Sequence, residues 1–200
     1  MYGQEKQKQC VLYYSHSVTD EKAENMTYQR QPEEEPEEII WRQTVQQALA
    51  QVLNPPLNAG RLIREHSRYK YALMAYSPQI YKSSGRLLSQ AGTLSPDELA
   101  ETAAVWQREL LTAFSQPATR ANMTNALMHM QGYFKRLLSP AEKQQMSAAI
   151  EAYRTGACPA EGVKHLLLTT ARHYQIDYLC DQAILQAAAP AQSHSGRSSV

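Results

Sequence analysis

Long apolar runs are missing from this chain, and so are the short motifs that mark most self-sufficient active sites. No segment nears the roughly 18 uninterrupted apolar residues of a membrane span. The opening MYGQEKQKQC has none of the apolar core of a signal peptide, so the expected location is the cytoplasm. There is no Walker loop, dinucleotide fingerprint, HExxH or nucleophile elbow. Cysteine is scarce: Cys10, Cys158 and Cys180 are odd in number, far apart and without a CxxC pair. That pattern argues against a disulfide framework, a zinc knuckle or a self-contained iron–sulfur site. No pair of carboxylates stands apart from the solvated ones. The residues themselves therefore assign no catalytic group, no metal ligand and no cofactor. Phe and Val are few as well, whereas Ala, Leu, Gln, Met and Glu are abundant, which favours helix over sheet.

What is present divides the chain by charge. Residues 1–56 hold 5 Lys/Arg against 9 Asp/Glu, a net of −4, and residues 57–200 hold 15 against 10, a net of +5. An acidic leader thus precedes a mildly basic body, and a +5 domain is compatible with a polyanionic partner. Residues 1–37 read as a disordered leader, closed by the proline-flanked acidic run from Pro32 to Glu38. Residues 38–188 read as one helical domain and 189–200 as a disordered tail. From Ile39 onward the apolar residues keep helical period. Ile40, Trp41, Val45, Ala48, Leu49 and Val52 mark one face of a first helix that stops at Asn54-Pro55-Pro56. A second helix is predicted from about Asn58 to Tyr76. Ser-Pro then occurs at 77–78, 95–96 and 139–140, each an N-cap serine with proline at the first helical position. Glu98 and Glu142 follow two of these serines by three residues and complete capping boxes. Gly92 and Gly156 fall where helices should end. The last helices are predicted over about Glu161–His173 and Asp177–Ala188. The fold class that follows is all-α, a single bundle of about seven to eight helices.

Two glycines stand out because they fall inside helical pattern, where glycine costs roughly 1 kcal/mol relative to alanine. Gly85 lies between Lys82 and Arg86, and Gly132 lies in HMQGYFKRLLSPAEK among His129, Tyr133, Lys135 and Arg136. Each glycine marks either a close helix crossing or a place where a ligand can approach the backbone. Packing is expected at Gly132, opposite the apolar stripe of Met123, Leu127, Met130, Phe134 and Leu137, and a groove at Gly85. In the second helix, His66 and Lys70 sit four residues apart on the side of Ile63, Leu73 and Met74, and form a possible pocket. Arg61, Arg64 and Arg68 occupy another stripe, which is either a solvated face or a row of phosphate contacts.

The ordered segments HSRYKYALMAYSPQIYKSSGRLL, HMQGYFKRLLSPAEK, the spaced Tyr153, Arg154, Gly156 and Pro159, and YLCDQAIL resemble the YbgA family. This is a bacterial helical domain of unknown function, and the likeness covers about Leu57 to Leu185. After Gln182 the chain departs from it, reading AILQAAAPA where the family has an aromatic-proline segment. In many bacteria a similar domain is fused behind a thiouracil-desulfidase domain that carries an iron–sulfur cluster and removes sulfur from 4-thiouridine in transfer RNA. The resemblance implies an RNA-handling half standing apart from the desulfidase half.

Three readings remain open at this point. The first is a nucleic-acid-binding accessory module, for transfer RNA, in which Arg61, Arg64, Arg68, Lys82, Arg86, Lys135, Arg136 and Lys143 meet phosphates. Tyr133 and His129 would then stack on or hydrogen-bond an exposed base. The second is a protein-interaction module docking on a separately encoded desulfidase or DNA-repair enzyme. The third is an enzyme for a small nucleobase-like substrate, which requires His66, Lys70, His129 and Tyr133 to converge. No membrane partner is expected, and enzymatic activity is less expected than binding.

Overall fold

A computed structural model describes residues 36–54 and 56–186. The leader before residue 36, with Cys10, and the tail from residue 187 lie outside the described residues. Every regular element among the described residues is helical. They are α1 (Pro36–Val52), α2 (Ala59–Arg68), α3 (Lys70–Tyr76), α4 (Pro78–Leu87), α5 (Pro96–Ala113), α6 (Arg120–Gln131), α7 (Pro140–Arg154), α8 (Ala160–His173) and the single turn α9 (Asp177–Cys180). Short 3₁₀ turns cover Leu88–Thr93, Gly132–Phe134 and Ala183–Leu185.

The local signals act as their chemistry requires. Ser77 accepts from the Ile80 N–H at the start of α4, with Pro78 at the first helical position. Ser95 with Glu98 and Ser139 with Glu142 form complete capping boxes at α5 and α7. Gly156 follows α7 at φ +84°, a backbone conformation open to glycine and strained for other residues.

Helix α3 is buried nearly all round, through Tyr71, Ala72, Leu73, Ala75 and Tyr76, so it can only be the centre of the molecule. It packs most extensively on α6, which in turn meets α7 and α8. On its other side come α4 and α5, and α1 lies against α5. An aromatic cluster fastens α1 to this centre. Trp41 stacks on Tyr76 at 5.1 Å between ring centres, and Phe114 meets both edge-on at 5.6 and 5.4 Å.

Four expectations need correction. The helix predicted from Asn58 to Tyr76 is broken at Tyr69, whose N–H is shared between the carbonyls of Glu65 and His66, a local tightening of the helix. Within α1, Ile40 and Ala48 are exposed, leaving Trp41, Val45, Leu49 and Val52 as the buried stripe. Gly132 is not inside an α-helix: α6 ends at Gln131, and the 3₁₀ turn that Gly132 begins changes the angular step per residue. As a result Leu137 is turned out and Leu138 takes the core position. The last helix does not run to Ala188. It stops at Cys180 because Gln182, in extended conformation and buried, donates from Nε2 to the carbonyls of Ser67 (3.0 Å) and Tyr178 (3.2 Å). Ile184 and Leu185 are then buried, and the indole N–H of Trp41 donates to the Ala183 carbonyl at 2.8 Å. Helix α1 thus closes against this C-terminal end of the helical domain.

Candidate functional site

An open groove of about 690 Å³ lies beside α2, the start of α3, α4 and α9. Ile63, His66 and Ser67 of α2 and Lys70 at the start of α3 line one part of it. Helix α4 contributes Tyr81 and then Lys82, Gly85 and Arg86, whose i, i+3, i+4 spacing sets them on one face. Ser89, in the turn after α4, and Tyr178 of α9 complete the lining, and none of the lining residues is acidic. Three permanent cations therefore share one concavity with tyrosines and no carboxylate to neutralise them, an arrangement that concentrates positive potential.

His66 is held in one protonation state by the core. The fully buried Trp106 donates its indole N–H to His66 Nδ1 at 3.1 Å, so Nδ1 must keep its lone pair. Burial lowers the His66 pKa from its ordinary 6.5, which agrees with a neutral ring. The proton of that neutral ring is on Nε2, and Nε2 lies beside Gly85 from across the groove: a Cβ built there would stand 3.9 Å from it. The missing side chain at residue 85 thus leaves the imidazole donor uncovered within the groove.

Tyr178 is fixed by its neighbours. Its ring stacks on Tyr133 at 5.6 Å between centres and 22° between planes, and Tyr71 meets both rings edge-on at 6.5 and 6.3 Å. Burial, followed by hydrogen bonding with Tyr133, pushes the Tyr71 hydroxyl far above its usual range. Lys70 Nζ lies 5.2 Å from the Tyr71 ring centre, a cation–π contact that ties the groove's cation to the aromatic cluster.

The basic residues singled out in the sequence separate into groups. Lys82 and Arg86 line the groove with the His66 and Lys70 pair. Lys135 and Lys143 share a smaller recess of about 280 Å³ with Gly132 and Met128. Arg64, Arg136 and His129 are exposed and line neither. Arg68 pairs with Glu65 at 3.0 Å. Arg61 is spent on structure: its guanidinium donates to the carbonyls of Asn54 (2.7 Å), Pro56 (3.1 Å) and Gln51 (3.4 Å), satisfying the C-terminal end of α1 and the turn after it. The four residues of the enzyme reading are only partly gathered. His66 and Lys70 meet in the groove, Tyr133 supports its Tyr178 wall, and His129 is outside it.

The expectation of a helix crossing at Gly132 is also corrected. Nothing lies within 4 Å of a Cβ built there, and the residue is exposed at the recess. Tyr178, Tyr81 and Tyr71 were not singled out by sequence reasoning, although Tyr178 lies in the YLCDQAIL segment that carries the family likeness.

Among the described residues, no group of three or more His, Cys, Asp or Glu is placed to hold a metal ion. No described helix is long and apolar enough to cross a membrane. No solved structure matches the chain. The chain is 33% identical over 103 residues to Uncharacterized protein YbgA of Escherichia coli (strain K12), covering 52% of this chain and 60% of that relative. It therefore spans less than two thirds of the relative's length. The sequence model of a family described as "Protein of unknown function (DUF1722)" matches residues 70–188, a stretch that contains α3 to α9 with Lys70, Lys82, Gly85, Arg86 and Tyr178 of the groove, and the chain belongs to this family.

Proposed function

We propose that the protein is a nucleic-acid-binding accessory module whose ligand is transfer RNA, acting in thiolated-nucleoside metabolism. The observation that carries the reading is the groove itself, where Lys70, Lys82 and Arg86 meet tyrosines without a single acidic neighbour in the lining. Phosphodiester oxygens supply the negative charge such a groove lacks, and bases supply the flat faces that tyrosines accept. Arg64, Lys135, Arg136 and Lys143 are exposed and extend the positive surface beyond it. The choice of transfer RNA follows from the likeness to domains fused behind 4-thiouridine desulfidases. Arg61 is excluded from the contact set, because its donors are already committed to backbone carbonyls.

The test is fluorescence anisotropy with labelled transfer RNA at two salt concentrations. If the three groove cations each meet a phosphate, affinity falls roughly 20- to 40-fold between about 50 and 200 mM salt. Replacing Lys82 and Arg86 by Gln flattens that dependence. Absence of binding at low salt, or binding indifferent to salt, overturns the proposal.

A further inference from the structure

The groove carries more than charge, because one of its polar groups is neutral and fixed in direction. We infer that the groove seats a single unstacked nucleotide, with His66 Nε2–H as a salt-independent donor to an acceptor on the nucleotide and Tyr178 as the wall for its base. This inference rests on the nucleic-acid reading above and adds which form of nucleic acid the groove accepts.

Three observations lead to it. The first is the tautomer. A ring nitrogen that accepts from Trp106 Nε1–H cannot carry a proton, so the imidazole offers one N–H only, at Nε2 on the Gly85 side. A solvated phosphate run needs no such group, since mobile lysines serve it at any register. A fixed neutral donor is useful where one acceptor atom arrives in one place. The second observation is the aromatic wall. Tyr178 lines the groove, and its ring is held by stacking on Tyr133 and by the edge of Tyr71, so it is not free to swing away. A ring can receive a base only if a base face is open. Within a duplex both faces are covered by neighbouring pairs, whereas in a single strand or a loop they are not. The third is size: about 690 Å³ is the scale of a small-ligand site rather than of a track for several nucleotides.

Gly85 connects these observations. Lys82 and Arg86, on the same face of α4, put cations on both sides of a position with no side chain, and the atom that position exposes is His66 Nε2. A phosphate held by the two cations brings its nucleoside alongside Nε2 and Tyr178.

The experiment compares a short fluorescein-labelled single-stranded oligoribonucleotide with the same strand annealed to its complement, using the full chain. The single strand is expected to bind about tenfold tighter than the duplex. His66→Phe should lower single-strand affinity about 3- to 10-fold by the same factor at low and high salt, because a neutral donor releases no counterion. Lys82→Gln should instead reduce the salt slope. Gly85→Leu covers Nε2 from an exposed helix position without touching the core, and should lose single-strand binding even if His66→Phe folds poorly. Long-range ¹H–¹⁵N spectra of the unmodified protein should show His66 with an unprotonated Nδ1, and its Nε2 resonance should move on saturation with the oligonucleotide. Equal affinity for the two RNA forms, or an Nε2 resonance that stays in place at saturation, overturns the inference while salt-dependent transfer-RNA binding leaves the broader reading standing. Failure of every RNA to bind at low salt removes both.

Discussion

Replacing each of two glycines by alanine puts the reading of the structure at risk in opposite ways. Gly132 sits at φ −56°, ψ −27°, ordinary right-handed helical backbone, with nothing within 4 Å of a built Cβ. An added methyl there meets no atom and removes backbone freedom only from the unfolded chain, so Gly132→Ala should stabilise by about 0.4–1 kcal/mol. For a domain of this size that raises Tm by about 1–4 °C. Had the glycine served a helix crossing, the same change would overpack the contact and cost about 1–3 kcal/mol. Gly85 lies inside α4, exposed, and a Cβ would meet only His66 Nε2 at 3.9 Å, an ordinary contact. Gly85→Ala should therefore stabilise by a similar amount while weakening RNA binding, whereas Gly132→Ala leaves groove binding unchanged. Thermal melts by circular dichroism and anisotropy titrations on the two variants separate stability from affinity. A Gly132→Ala protein that melts lower than the parent, or a Gly85→Ala protein that binds RNA as tightly, would refute the reasoning.

Two further predictions follow from named contacts. Arg61→Ala should lower stability by about 1–2 kcal/mol, since the carbonyls ending α1 lose a charged donor, yet leave the salt slope of RNA binding intact; a normal melt with a flattened slope would return Arg61 to the phosphate contacts. Acidification should destabilise the fold through His66: its folded pKa lies below 6.5, so the unfolded chain binds the extra proton and stability falls as pH drops through 6.5 toward the folded value, then levels. Glu98 and Glu142, held low by hydrogen bonds from Ser95 and Ser139, lose their contributions only as pH falls below about 4.5, whereas the His66 loss begins as pH drops through 6.5. Melts between pH 7.5 and 5 should show the slope in the parent and its loss in His66→Gln; parallel slopes would reject the assignment.

Some of this was legible in the chain because the cause is local. A serine that caps a helix needs only the N–H three residues ahead, so Ser95 with Glu98 and Ser139 with Glu142 announce their helices wherever the rest of the molecule goes. The stripe of Trp41, Val45, Leu49 and Val52 is readable for the same reason, one helix presenting one face. Ends set by tertiary contacts are not readable. Asp177 to Ala188 has helical composition, but the buried Gln182 amide spends its donors on the carbonyls of Ser67, 115 residues away, and Tyr178, and the chain leaves the helix there. Likewise Arg61 looks like a surface cation in any pattern; only the folded turn after α1 shows the carbonyls that occupy it.

The candidate site divides along the same line. Lys82, Gly85 and Arg86 lie on one helical face and could be grouped from spacing alone, and the pairing of His66 with Lys70 survives the break at Tyr69 because the chain keeps turning through it. Tyr178 could not be found that way, since it reaches the groove from the far end of the sequence through packing on Tyr133 and Tyr71. The two glycines make the point most sharply. Both sit among basic residues in apparently helical sequence, but one has a continuing helix on either side and the other is where a helix stops. What fixes the stop is Phe134, fully buried, and Leu138 taking the core place that Leu137 vacates. Gly85, inside an exposed helix, leaves an opening beside His66 Nε2, whereas Gly132, at a helix end in right-handed backbone, has nothing within 4 Å of a built Cβ.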